Sequence, residues 1–146
     1  MGRAFKFEAV LNQRQYREDT ARKVFAVAAR ELGRAQQVLA EMENDRDQCR
    51  RDLRRKQEKG GFAMEIILYA RYLGRLDVEI KDQQDRVARM AEEKEKKRQE
   101  LMTTLKDRKV IEKLKARHLA DTEKKERDLE QKLLNEAAIS RYQRNH

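Results

Sequence analysis

Apolar residues recur in alternating steps of three and four along most of this chain, and the pattern stops abruptly only once, at the adjacent glycines Gly60-Gly61. Such spacing holds the apolar positions on one face of an α-helix and specifies a supercoiled seam. In the first half the stripe runs Leu11, Arg14, Glu18, Ala21, Phe25, Ala28, Leu32, Ala35, Leu39, Met42, Arg46, Cys49 and Leu53. The polar entries are Arg14, Glu18 and Arg46. Two adjacent glycines carry the largest backbone freedom and make a natural helix stop, so Lys59-Gly60-Gly61-Phe62 is read as a turn. The stripe then resumes as Ile66, Tyr69, Leu73, Leu76, Ile80, Gln83, Val87 and Met90. The predicted fold class is all-α, two long helices forming an antiparallel coiled-coil hairpin. A single coiled-coil domain spans 1–146, with a first helix over about 8–57, a turn at about 58–63, a second helix over about 64–139 and a short C-terminal tail.

The second helix is expected to be the longer one. Between Ala91 and Glu100 the stripe gives way to charge, and it returns at Leu101 and Leu105 one residue out of phase, which predicts a local unwinding of the supercoil. It continues more thinly through Ile111, Leu114, Leu129 and Leu133. Folding at Gly60-Gly61 pairs residues whose numbers sum to about 121, placing Leu39 near Gln83, Leu32 near Arg89 and Leu11 near Val110. Each paired arm is about 50 residues, or about 75 Å. Residues after about 115 then have no partner in the first helix. A lone helix there depends on propensity and ion pairs and is expected to fray unless a partner holds it. The apolar run Val24 to Ala29 faces the charged 91–100 stretch, which leaves two readings, a locally wider seam or a docking surface.

Composition narrows the function. Charged residues make up 43% of the chain against 38% hydrophobic, with no Pro and no Trp, so the molecule buries a narrow seam and has little wall from which to build a catalytic cavity. His118 and His146 are the only histidines and Cys49 the only cysteine, so neither a disulfide framework nor a Cys/His metal set can be assembled. Phosphate-loop signatures are missing too, and no cofactor is expected. An enzymatic role is therefore not predicted. The N-terminus lacks the apolar core of a signal peptide, no run approaches the length of a membrane span, and Lys6 stands where a myristoylation signal requires Ser or Thr. A cytoplasmic location is the expectation.

The net charge of +9 admits nucleic acid, an anionic membrane surface or an acidic protein. Acidic residues interleave with most basic ones, as on a solvated helix face. Two basic clusters stand out: Arg50-Arg51-Asp52-Leu53-Arg54-Arg55-Lys56 before the turn, and Lys106 to Arg117. Neither is interleaved with aromatic stacking residues and neither precedes a parallel zipper, which argues against nucleic acid. Near the turn, Tyr69 falls in the seam while Tyr72, Leu76 and Gln83 trace a stripe partly beside it, with Val38 and Met42 across from it. That stripe is either seam margin or a helical binding face anchored by Tyr and Met.

These features together resemble the flagellar export family FliJ over essentially the whole chain. The resemblance is carried by Phe5-Lys6-Phe7 leading into Val10-Leu11, a Gly-containing turn near the middle, and Tyr72-Leu73 followed by Leu76 and Ile80. It is carried further by Arg108-Lys109-Val110-Ile111-Glu112-Lys113-Leu114 and by Glu130-Gln131-Lys132-Leu133-Leu134-Asn135-Glu136-Ala137. Asn135 departs from the Asp expected in the closing motif.

The resemblance implies a non-enzymatic stalk or chaperone-type adaptor of the flagellar type III export apparatus, held at the inner face of the cytoplasmic membrane through its partners. The end with both termini would insert into the hexameric export ATPase (FliI), and the hairpin end would contact the cytoplasmic part of the export gate (FlhA). Export chaperones are further partners of the family. Mapped onto this sequence, Arg108, Lys109, Lys113, Lys115 and Arg117 become candidate ATPase contacts. Val38, Met42, Tyr69, Tyr72, Leu73, Leu76 and Gln83 become the candidate gate surface. The equivalent stalk of a virulence-type secretion system and a generic structural coiled coil are the alternatives.

Overall fold

A computed structural model describes the backbone of Gly2–Asn145 and the side chains from Lys6 to Asn145, so the side chain of Phe5 lies outside the described residues. Two helices account for nearly all of it, α1 (Gly2–Glu58) and α2 (Ala63–Asn145), packed against each other with no strand among the described residues. The expected all-α helical hairpin is the fold that forms. Residues read as a C-terminal tail are helical as far as Asn145, since the chain has no Pro and no Gly after Gly74 to end the helix.

The turn has a definite stereochemistry. Gly60 adopts φ of 71°, the left-handed conformation that an L side chain rarely tolerates. The Gly61 N–H donates to the Lys56 carbonyl at 2.8 Å and the Gly60 N–H to that of Gln57 at 3.4 Å. This pair of bonds is the Schellman stop, which satisfies carbonyls that the end of α1 would leave open. At Gly61 an added Cβ would lie 3.2 Å from the Lys56 carbonyl oxygen, a tight contact, whereas at Gly60 it is the positive φ that favours glycine. The Phe62 carbonyl then accepts from the N–H groups of Glu65 and Ile66, opening α2.

The chain divides into two compact units, one formed by the residues up to Asp19 with those from Thr103 onward, the other by Thr20–Met102. In the Thr20–Met102 unit, Leu32, Ala35 and Cys49 of α1 and Leu76 and Ile80 of α2 are buried. The Gln83 side-chain amide donates to the Ala35 carbonyl at 3.0 Å, so Gln83 sits opposite Ala35, one turn from the Leu39 expected. Lys56 and Glu65 close the turn with a 2.8 Å ion pair, and Lys56 Nζ also lies 5.4 Å from the centre of the Tyr69 ring.

The expected phase slip in α2 does not occur. Every third or fourth residue from Met90 through Lys94, Lys97, Leu101, Thr104, Arg108, Ile111, Lys115 and His118 is shielded from solvent, an unbroken continuation of the stripe that begins at Ile66. Lys94 and Lys97 fill seam positions with their long stems, and Lys97 pairs with Glu93 at 3.5 Å and Glu100 at 3.6 Å. Lys94 Nζ comes within 5.9 Å of the centre of the Phe25 ring. Leu105 flanks the stripe beside Thr104, so apolar identity alone gives a displaced phase there. Of the apolar run 24–29, Phe25, Ala28 and Ala29 are shielded, while Val24, Ala26 and Val27 are exposed.

In the unit containing the termini, Phe7 and His118 stack tilted at 5.4 Å between ring centres. Arg108 bonds the buried Glu18 carboxylate, Arg14 approaches Asp107 at 3.7 Å and Lys115 approaches Glu8 at 3.7 Å. Beyond His118 every described side chain of α2 is exposed.

Candidate partner-binding surfaces

No group of His, Cys, Asp and Glu that could hold a metal ion exists among the described residues, and no helix there is long and apolar enough to cross a membrane. Cys49 is a free, buried thiol in the seam, and burial pushes its pKa up, with Asp52 adding to the effect. A thiol held in its neutral form packs as a small apolar group.

The seven residues read as a gate surface fall into two physical classes. Leu76 is buried at 5% exposure, Leu73 and Tyr69 lie in the seam, and the Gln83 amide is committed to the Ala35 carbonyl. These four hold the two helices together. Tyr72, at 44% exposure, and Val38 present surface, with Met42 at the margin. The expected stripe thus includes the inner wall of the coil as well as an outer face. Only the outer members are free to meet a partner without separating the helices.

The five basic residues of the other candidate surface divide in the same way. The Arg108 guanidinium donates to Glu18 and, at 2.5 Å, to Glu112. Those two hydrogen bonds hold it more firmly protonated than an ordinary arginine. Lys115 is half-buried against α1. By contrast, Lys109, Lys113 and Arg117 are exposed and recur every four residues, so they form one stripe on the side of α2 turned away from α1. Val110 and Leu114 lie exposed beside them.

Two groups of surface residues escape a reading based on the seam alone. Leu129, Leu133, Leu134, Ile139 and Tyr142 are all exposed on the stretch of α2 after His118. They occupy more than one helix face, so the seam phase could not gather them. Around the turn, Phe62, Met64, Ile67, Leu68 and Val78 are exposed as well. A Phe immediately after Gly-Gly, in a position that favours Ser, Thr, Asp or Asn, was the available signal.

The family model described as flagellar FliJ protein matches residues 3–146. The chain belongs to the FliJ family. No curated protein and no solved structure matches it. FliJ membership associates the chain with flagellar type III protein export, among non-catalytic proteins, and the paired helices suit a structural role in that apparatus.

Proposed function

We propose that this FliJ-family chain is a non-catalytic adaptor that couples the hexameric export ATPase FliI to the export gate FlhA and promotes assembly or turnover of the ATPase. The observation that carries this reading is the stretch of α2 after His118, where every described side chain is exposed, five large apolar ones between Leu129 and Tyr142 among them. A long exposed helix gains most of its stability from packing against something else. Insertion into the central opening of a ring would supply that packing on every face. Lys109, Lys113 and Arg117, at the base of this stretch, are the basic contacts for the ATPase. Tyr72 and Val38, with Met42, are the contacts for the gate.

The test is a pull-down of the full chain with the export ATPase, together with ATP turnover measured with and without the chain. Binding with raised turnover or hexamer formation is expected. An ATPase that neither binds nor changes its turnover would sink the proposal.

A further inference from the structure

The basic cluster before the turn and the exposed apolar residues after it take no part in the surfaces assigned above. Both belong to the Thr20–Met102 unit. Residues 50–75 hold eight Lys and Arg against three Asp and Glu, a net +5 out of the chain's +9. Some of this charge has a structural use: Arg55 and Lys56 occupy the last turn of α1, where cations offset the helix dipole, and Lys56 is bound by Glu65. Arg54 and Lys59 have no ion pair among the described residues.

Two of the carboxylates nearby, one on each side of Leu68 and Gly74, share one orientation. Glu65 and Asp77 both turn toward α1, where they meet Lys56 at 2.8 Å and Arg50 at 3.8 Å. The opposite side of α2 therefore presents Met64, Leu68, Arg71, Arg75 and Val78 with no acidic residue among them before Glu79. Gly74 adds no side chain, so a shallow groove runs between Leu68 and Val78, edged by the two arginines and, at its far end, by Glu79. At the turn itself Phe62 is 80% exposed. It opens α2 without a side-chain oxygen to cap the helix, so the position sacrifices local stability to put a ring in solvent.

We infer that the turn region binds directly to an anionic phospholipid bilayer, with Phe62 and Met64 entering the interface and Arg54, Lys59, Arg71 and Arg75 meeting the headgroups. Apolar side chains that protrude from a turn fit a deformable surface better than a preformed cleft. Arginines interspersed with them can lay their stems along acyl chains while the guanidinium groups reach phosphate. The concentration of positive charge supplies the electrostatic half of the attraction.

The chain contains no Trp, so Phe62→Trp places a unique fluorophore at the contact. The full chain is titrated with vesicles of phosphatidylcholine alone and of phosphatidylcholine with phosphatidylglycerol. Binding to the anionic vesicles only is expected, with a blue shift of the tryptophan emission and quenching by brominated acyl chains. Arg54→Gln with Lys59→Gln lowers the partition coefficient roughly 30-fold, at about five-fold for each charge near the surface. The control pair Lys124→Gln with Arg127→Gln, on the exposed part of α2, changes it less than about two-fold. Circular dichroism confirms that each variant stays helical. The inference is overturned by equal binding to both vesicle types, by an emission that does not move, by the control pair weakening binding as much as the turn pair, or by preferential binding to a single-stranded oligonucleotide at the same salt.

Discussion

Arg108 of α2 reaches across to Glu18 of α1, whose side chain is only 6% exposed, and bridges it to Glu112 on its own helix. A buried carboxylate without a cation is costly, whereas a neutral amide of the same shape costs much less. Arg108→Gln is therefore expected to lower the melting temperature of the chain. Adding Glu18→Gln should restore part of the loss. A double variant less stable than Arg108→Gln alone would show that the pair is not the reason Glu18 occupies the seam. The comparison is read by thermal circular dichroism.

Lys94 fills a seam position with its stem and places its ammonium group over the Phe25 ring. If the heptad runs unbroken through 91–100, a leucine at this position has a hydrophobic neighbour waiting for it. Lys94→Leu should stabilise the hairpin by about 1 kcal/mol, a fraction of the gain from fully burying a leucine. A phase slip would instead leave that leucine in water and produce no gain. Urea unfolding at constant slope separates the two outcomes.

Lys94 also shows where the sequence ceased to be readable. The turn, the stripe through Leu53 and the stripe from Ile66 to Met90 rest on apolar identity and on glycine chemistry, which are local properties. The passage through Lys94 and Lys97 depends on which atoms of a long side chain are covered, and that is settled only by the facing helix. The candidate surfaces have the same weakness. Tyr72 and Leu76 differ by one helical turn, but about 40° of rotation around α2 makes one exposed and the other core. Arg108 and Lys109 read as equivalent cations until Glu18 claims the first.

That distinction changes how the gate surface should be probed. Ile80, at 2% exposure, and Leu76 are core residues, and truncating either to Ala should cost roughly 2–5 kcal/mol. Tyr72→Ala and Val38→Ser should each stay within about 1 kcal/mol of the parent. Loss of gate binding in these two, with the melting temperature held, supports the proposed contact. Retained gate binding in both would place that contact elsewhere on the chain.

Cys49 offers a probe of seam opening. Burial raises its pKa, so the unfolded thiol ionises at lower pH than the folded one. Its contribution to stability is thus complete below the unfolded pKa and is lost as pH rises through the folded value. At mildly alkaline pH the thiol should react with a disulfide reagent far more slowly in the native chain than in urea. Native labelling as fast as in urea would mean that the seam at Cys49 is open in solution.

The exposed run of α2 after His118 makes the last prediction. Its described side chains are all exposed, so its backbone hydrogen bonds are protected mainly by local helix formation, and helices of this kind open readily. Amide exchange should be fastest from about residue 120 onward and slower in the paired parts of both helices. Ending the chain after His118 should reduce the total helix signal while leaving the melting of the paired region nearly unchanged. The same truncation should abolish binding to the export ATPase, whereas Lys113→Glu with Arg117→Glu should weaken it with the helix intact. If the truncated chain still bound the ATPase at full strength, the unpaired helix could not be the element that enters the ring.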